Sequence, residues 1–67
     1  MNPVSKEYYL SKINSIEIAQ EIIESLQDTK TKKRFLVFLE SAKIDLDDFE
    51  LLRERLSGYL SKLSEGN

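Results

Sequence analysis

The side chains most able to bind a charged partner lie in the stretch TKTKKRF, residues 29–35, which contains Lys30, Lys32, Lys33 and Arg34. Clustered cations attract an acidic protein surface or the phosphate backbone of a nucleic acid. No aromatic side chain is interleaved among them, so they do not predict a platform on which bases stack. The alternative is that the cluster is the solvated tip of a helical hairpin, which stays polar because nothing buries it.

Acidic side chains cluster at DLDDFE, residues 45–50, where they could bind a cation. A calcium loop needs glycine at its sixth position and glutamate at its twelfth, and this sequence has Glu50 and Leu56 there. The acids suit the N-terminal end of a helix instead, since the helix dipole favours negative charge at that end. We therefore expect no metal site in this stretch.

The rest of the sequence gives little indication of catalysis. The chain has no histidine and no cysteine, and its other reactive side chains stand in no known catalytic spacing. A helical bundle of this size also has little room for a cleft on the scale of about 300 Å³. We expect a protein that is not an enzyme and that carries no cofactor or metal.

The composition indicates one small folded domain. Its 67 residues are 40% hydrophobic and 33% charged, and the net charge of −2 disfavours a dedicated nucleic-acid binder. A chain this short is marginally stable, and without cysteine or histidine the remaining common support is self-association. No apolar stretch is long enough to span a membrane and MNPVSKEYYL lacks the pattern of a signal peptide, so we expect a cytoplasmic protein with no membrane contact.

Apolar spacing is helical along nearly the whole chain. We expect one helical domain over residues 1–67, with flexible ends at 1–4 and 64–67. Because the connections are short, the helices should form a small antiparallel all-α bundle, with the first helix as an N-terminal flap or extension. The predicted helices cover residues 5–13, 15–27, 31–43 and 46–63.

Capping residues mark where these helices should begin. The apolar stripes before and after Asn14–Ser15 differ by about a third of a turn, which favours a break there over one continuous helix. Asn14 with Glu17 resembles a capping box for the second helix. Asp28 or Thr29 should cap the third helix. Asp45 should cap the fourth, with a hydrophobic staple between Ile44 and Phe49.

The third and fourth segments also have the layout of a helix-turn-helix, with a tight turn at residues 43–45. The reading helix would then present Asp47, Asp48 and Glu50 to DNA, and phosphates repel those carboxylates. An ordinary helical hairpin is therefore the better interpretation.

Several apolar side chains lie off the predicted buried stripes. Val37 and Leu51 project away from the buried faces of their helices, and Ile18 and Tyr8 also lie to one side of theirs. Such residues on neighbouring helices of a marginal domain indicate a second buried face. The partner-binding site that we predict combines apolar residues with three cations: Ile18, Val37, Leu51, Lys32, Lys33 and Arg34.

The sequence thus predicts a non-catalytic interaction, adaptor or regulatory module. Its partner would be another protein, with an acidic surface suited to the cations, or a second copy of the chain. An apolar helix face bordered by charges would make the contact. The alternative is an accessory nucleic-acid-binding protein that contacts phosphates through residues 30–34.

Overall fold

The computed structural model describes residues 4–66, and the four helices within them confirm the predicted small all-α bundle. No strand occurs in this part of the chain. None of these helices combines the length and apolar character needed to cross a bilayer. The helices are α1 (Lys6–Lys12), α2 (Ile16–Glu24), α3 (Thr29–Ala42) and α4 (Leu46–Glu65).

The predicted break between the first two helices is present, and the alternative of one continuous helix was wrong. Ile13 ends α1, leaves helical geometry and is fully buried. The cap of α2 is Ser15 rather than Asn14, because the Ser15 hydroxyl accepts a hydrogen bond from the backbone N–H of Ile18 at 3.2 Å. The interruption lets Ile13 and the apolar stripe of α2 face the same core.

Asp28 caps α3, which therefore begins at Thr29 and not at the predicted residue 31. The Asp28 carboxylate accepts hydrogen bonds from the hydroxyl and from the backbone N–H of Thr31, the latter at 3.0 Å. The four clustered cations consequently lie in the first two turns of α3. The negative charge of Asp28 offsets part of their unfavourable interaction with the helix dipole.

Asp45 caps α4 as predicted, accepting hydrogen bonds from the backbone N–H groups of Asp47 at 2.9 Å and Asp48 at 3.3 Å. The predicted staple between Ile44 and Phe49 was wrong, because Ile44 is 89% exposed. Lys43 keeps helical backbone angles, so Ile44 continues the outer face of α3 instead of turning towards α4.

The core is drawn from α2, α3, α4 and the first two connections, whereas α1 has no buried residue and the connection between α3 and α4 is exposed. Phe35 and Phe49 pack against the core while Val37 and Leu51 are exposed, so the predicted buried faces of α3 and α4 are confirmed. Leu63 departs from the predicted seam and is half exposed. The buried apolar residues are Ile13, Ala19, Ile23, Leu26, Leu39, Ala42, Leu52 and Leu56.

α3 and α4 form an antiparallel hairpin, and α2 packs on α3. Near the turn the Ser41 hydroxyl donates a hydrogen bond to Asp48, and further along the ring centroids of Phe35 and Tyr59 are 5.9 Å apart. Contacts along the length of the pair are those of a hairpin, as predicted, and not of the steeply crossing helices of a helix-turn-helix.

Arg53 of α4 holds the C-terminal end of α1. Its guanidinium donates hydrogen bonds to the carbonyl of Ile13 at 2.6 Å and to that of Leu10 at 2.7 Å. A third guanidinium nitrogen pairs with the Glu50 carboxylate at 2.8 Å. A cation at this position satisfies carbonyls that the helix leaves free and opposes the negative end of its dipole.

The other end of α1 is also attached to α4, so the helix is docked and is not the flap that we predicted. The Val4 N–H donates to the Ser64 hydroxyl at 2.8 Å, and the Ser61 hydroxyl donates to the Val4 carbonyl at 2.8 Å. Of the ends predicted to be flexible, residues 1–3 and 67 lie outside the described residues. Val4 and Ser64 belong to the same predicted ends and bond to each other.

Replacing Arg53 by alanine should lower the free energy of unfolding by about 2 kcal/mol, because it removes charged hydrogen bonds to two partly buried carbonyls. Urea unfolding followed by circular dichroism measures this. Arg55→Ala on the same helix is the matched control and should cost less than about 1 kcal/mol, since Arg55 contributes only a cation–π contact to Phe38. Equal losses in both variants would contradict the role assigned to Arg53.

Candidate functional site

A groove runs along the surface between α3 and α4, with a volume of about 290 Å³. We expected little room for a cleft of about 300 Å³, but this groove approaches that volume. The aromatic rings line the gap between the two helices without filling it. The groove is open to solvent along its length. Its lining residues are Thr31, Arg34, Phe35, Phe38, Arg55 and Tyr59.

Aromatic rings form much of this lining. The Phe35 and Tyr59 rings lie 5.9 Å apart with their planes tilted by 57°, which joins the two walls of the groove. The Arg55 guanidinium lies 5.9 Å from the centroid of the Phe38 ring, within the range of a cation–π contact. The groove therefore presents flat apolar surface with a cation already positioned over it.

The electrostatics of the groove favour anions. Its lining contains two guanidiniums, from Arg34 and Arg55, and no acidic side chain. Guanidinium groups bind carboxylates in a two-pronged geometry that also tolerates stacking on aromatic faces. An anionic group next to an apolar or aromatic one would thus find a complementary surface here.

Sequence analysis missed the aromatic part of this site. No aromatic residue lies within the sequence segment 30–34. In the folded protein, however, the rings of Phe38 and Tyr59 line the same groove as Arg34 and Arg55. A signal was present in the spacing. Arg34 precedes Phe38 by four residues and Arg55 precedes Tyr59 by four, so each helix carries an arginine and an aromatic ring on one side.

The predicted basic cluster does not act as one patch. Arg34 lines the groove on the α4 side of α3. Lys32 is half-buried and Lys33 is exposed, and neither lines the groove. Successive residues of a helix point in directions about 100° apart, which separates the three side chains.

The predicted apolar residues are likewise divided among three helices. Val37 on α3 is 74% exposed and Leu51 on α4 is 41% exposed, both pointing outward as predicted. Ile18 on α2 is half-buried, and α2 packs mainly on α3. The sequence analysis also missed the outward direction of Leu46, which is 73% exposed beside Ile44 at the start of α4.

The site holds donors and apolar faces, and nothing in it resembles a metal centre. Within residues 4–66, no three acidic side chains come close enough together to hold a metal ion. The polar groups that line the groove are two guanidiniums and the hydroxyls of Thr31 and Tyr59. Guanidiniums stay protonated at any physiological pH, so they can hold an anion but cannot accept a proton from one.

A scan against protein-family models found no match for this chain, and searches of curated proteins and of solved structures found no similar protein. The function of the protein must therefore be inferred from the site itself.

The pKa of Asp28, at the end of α3 that carries the cations, lies below its ordinary value of 3.8. The main cause is the hydrogen bond from the Thr31 hydroxyl, followed by the bond from the Thr31 backbone N–H, with the charge of Arg34 adding to both. These interactions favour the ionised carboxyl group. The N-cap of the helix that carries the basic segment is therefore strongest when Asp28 is ionised.

The ionised Asp28 should stabilise the fold above the ordinary carboxyl pKa, and this contribution should fade as pH falls through the lowered pKa of the folded state. Asp28→Asn keeps a good N-cap but cannot ionise, so the difference in urea midpoint between wild type and variant should shrink on acidification from neutral pH to about pH 2. Asp47→Asn is the control, because it removes a carboxylate that does not cap a helix. A difference that stays constant with pH would contradict this role of Asp28.

Proposed function

We propose that the protein is a non-catalytic interaction module that binds an acidic segment of a partner protein in the groove between α3 and α4. One observation carries the proposal: two guanidiniums, from Arg34 and Arg55, stand over and beside an aromatic surface with no acidic side chain among the lining residues. The segment that fits this surface has carboxylates next to large apolar side chains.

The size and shape of the groove suit a short segment of protein chain. A volume of about 290 Å³ in an open trough accommodates one or two side chains, and a larger ligand would extend along the surface beyond it. Interface hot spots are enriched in tyrosine and arginine, and Tyr59, Arg34 and Arg55 are of these types.

Residues outside the groove add long-range attraction to this proposal. Lys30 and Lys33 are exposed on α3, and the segment that contains α3 is net basic while the segments before and after it are net acidic. A concentrated positive field speeds the approach of an acidic partner. Val37, exposed one turn from Arg34, would extend the apolar contact. An adaptor or regulatory role in the cytoplasm forms part of the same proposal.

A second candidate function, binding single-stranded nucleic acid, is favoured by the rings that folding places beside the guanidiniums, since that combination stacks bases and holds phosphates. The net charge of −2 weighs against it. A gel shift at low salt with single-stranded RNA and DNA separates the two functions. A complex that weakens steeply with salt would replace the protein partner with a nucleic acid.

Charge reversal at Arg34 should weaken binding of the partner about tenfold, equivalent to about 1.4 kcal/mol, because it places a carboxylate where the partner carries its own. The measurement is affinity capture from a lysate of the source organism on immobilised wild type and Arg34→Glu, with quantification of each captured protein.

Lys12→Glu is the matched control, since Lys12 is an exposed cation on α1 that does not line the groove. Circular dichroism should show that both variants keep the helical fold. Proteins captured by wild type and Lys12→Glu but depleted on Arg34→Glu would support the proposal. Identical capture on all three baits would contradict it.

A further inference from the structure

α4 carries an exposed strip that neither α1 nor α3 covers. At about 100° per residue, eight side-chain positions of α4 lie within about 60° of Leu51 around the helix, counting Leu51 itself. Two of them are set aside, because Asp48 is half-buried and accepts a hydrogen bond from Ser41 of α3, and Glu65 is the last residue of the helix. That leaves six. Five are exposed and one, a glycine, is half-exposed. The strip runs for about 22 Å along the helix axis. Its members, which we call the α4 strip, are Asp47, Leu51, Glu54, Arg55, Gly58 and Lys62.

Residues at equal distances on either side of the centre of the α4 strip have complementary side chains. Reading outwards from the centre between Glu54 and Arg55, the acid Glu54 mirrors the cation Arg55. Next, the apolar Leu51 mirrors the small Gly58. At the ends, the acid Asp47 mirrors the cation Lys62. Two such helices laid antiparallel would place each of these four charges opposite a counter-charge and each leucine over a glycine, while Glu65 would lie beyond the first residue of the facing helix.

Gly58 has no role within the chain that explains it. Its backbone does not have a positive φ, and a Cβ built on it meets no other atom within 4 Å. Glycine inside a helix lowers stability relative to alanine. Glycine on a helix surface does, however, allow close approach by another backbone or side chain. An approaching leucine would use the open space at Gly58.

The charged members of the strip are available for this contact. The Arg55 guanidinium is already oriented by the Phe38 ring, 5.9 Å from its centroid. Glu54 makes a 3.5 Å ion pair with Lys6, but both side chains are exposed, and such pairs contribute little to stability. Asp47 and Lys62 form no ion pair within the described residues.

We propose that the protein forms a symmetric dimer in which the α4 strips of two copies pack antiparallel, with the two-fold axis passing between Glu54 and Arg55. Each complementary contact then occurs twice, as an interface between identical surfaces requires. Apart from Arg55, which also lines the groove, the dimer uses residues that the proposed function does not.

The area of such an interface predicts a weak dimer. A stable interface starts at about 1,200 Å² in total, or about 600 Å² from each copy. The chain has an accessible surface of 4851 Å², so each copy would bury about one-eighth of it. We therefore expect dissociation in the micromolar range, reversible by dilution. Salt should weaken the dimer, because four charged contacts border the apolar ones.

Sedimentation equilibrium should detect this dimer at concentrations up to about 1 mM. Leu51→Asp should raise the dissociation constant at least tenfold, because it places a charge over Gly58 of the second copy. Tyr8→Asp is the matched control: Tyr8 is exposed on α1, outside the strip, and should leave the dissociation constant unchanged. A wild-type protein that remains monomeric over the whole range would overturn the proposal.

Gly58→Ala gives a sharper test, because the dimer predicts effects of opposite sign. The added methyl group meets nothing in the monomer and favours the helix, so the melting temperature measured at low concentration should rise by about 4 °C. The same group fills the space for Leu51 of the second copy, so the dissociation constant should rise several-fold. Stabilisation without any change in self-association would contradict the proposed contact.

A charge swap tests the antiparallel register. Asp47→Lys and Lys62→Asp should each raise the dissociation constant about three-fold or more, and the double variant should recover wild-type affinity. Failure of the double variant to recover would reject this register. Arg34→Glu should leave the dissociation constant of the dimer unchanged. The two proposals can therefore fail separately: a monomeric protein would reject the dimer alone, and unchanged partner capture on Arg34→Glu would reject the groove alone.

Discussion

The hydrogen bonds from the Arg53 guanidinium to the Leu10 and Ile13 carbonyls determine which surfaces this small bundle leaves open. They fix the end of a helix too short to be stable alone, and they do so from the middle of the longest helix. With both α1 and α3 packed on α4, the α4 strip is left facing solvent.

Two neighbouring surfaces with different chemistry follow from that arrangement. The groove faces outward between α3 and α4 and is cationic and aromatic. The α4 strip has balanced charge and an apolar centre. Arg55 belongs to both, since it stands over Phe38 in the groove and projects at the centre of the strip. Dimerisation would therefore place two grooves on one assembly, which gives a bivalent binder greater avidity without any new contact.

Much of the fold could be predicted because it depends on local features. The apolar spacing indicated the helices, and the capping residues Asp28 and Asp45 marked where α3 and α4 begin. The docking of α1 could not, because Arg53 lies forty positions from Ile13 and no local pattern pairs them. Ile44 was misplaced because its direction depends on the backbone angles of Lys43. Of the residues predicted to bind a partner, Arg34 lines the groove and Val37 and Leu51 are exposed outside it. The groove itself could not be predicted, because it forms only when two helices lie side by side.

The central claim is that the strip left open between α1 and α3 is where α4 meets a second copy of itself. An isotope-filtered NOE experiment on a mixture of ¹³C-labelled and unlabelled protein observes only contacts between different molecules. The account predicts cross-peaks between the Leu51 methyl groups and the Gly58 α protons. Intermolecular cross-peaks from α1 or α2 instead, or none at concentrations well above the dissociation constant expected for the dimer, would contradict it.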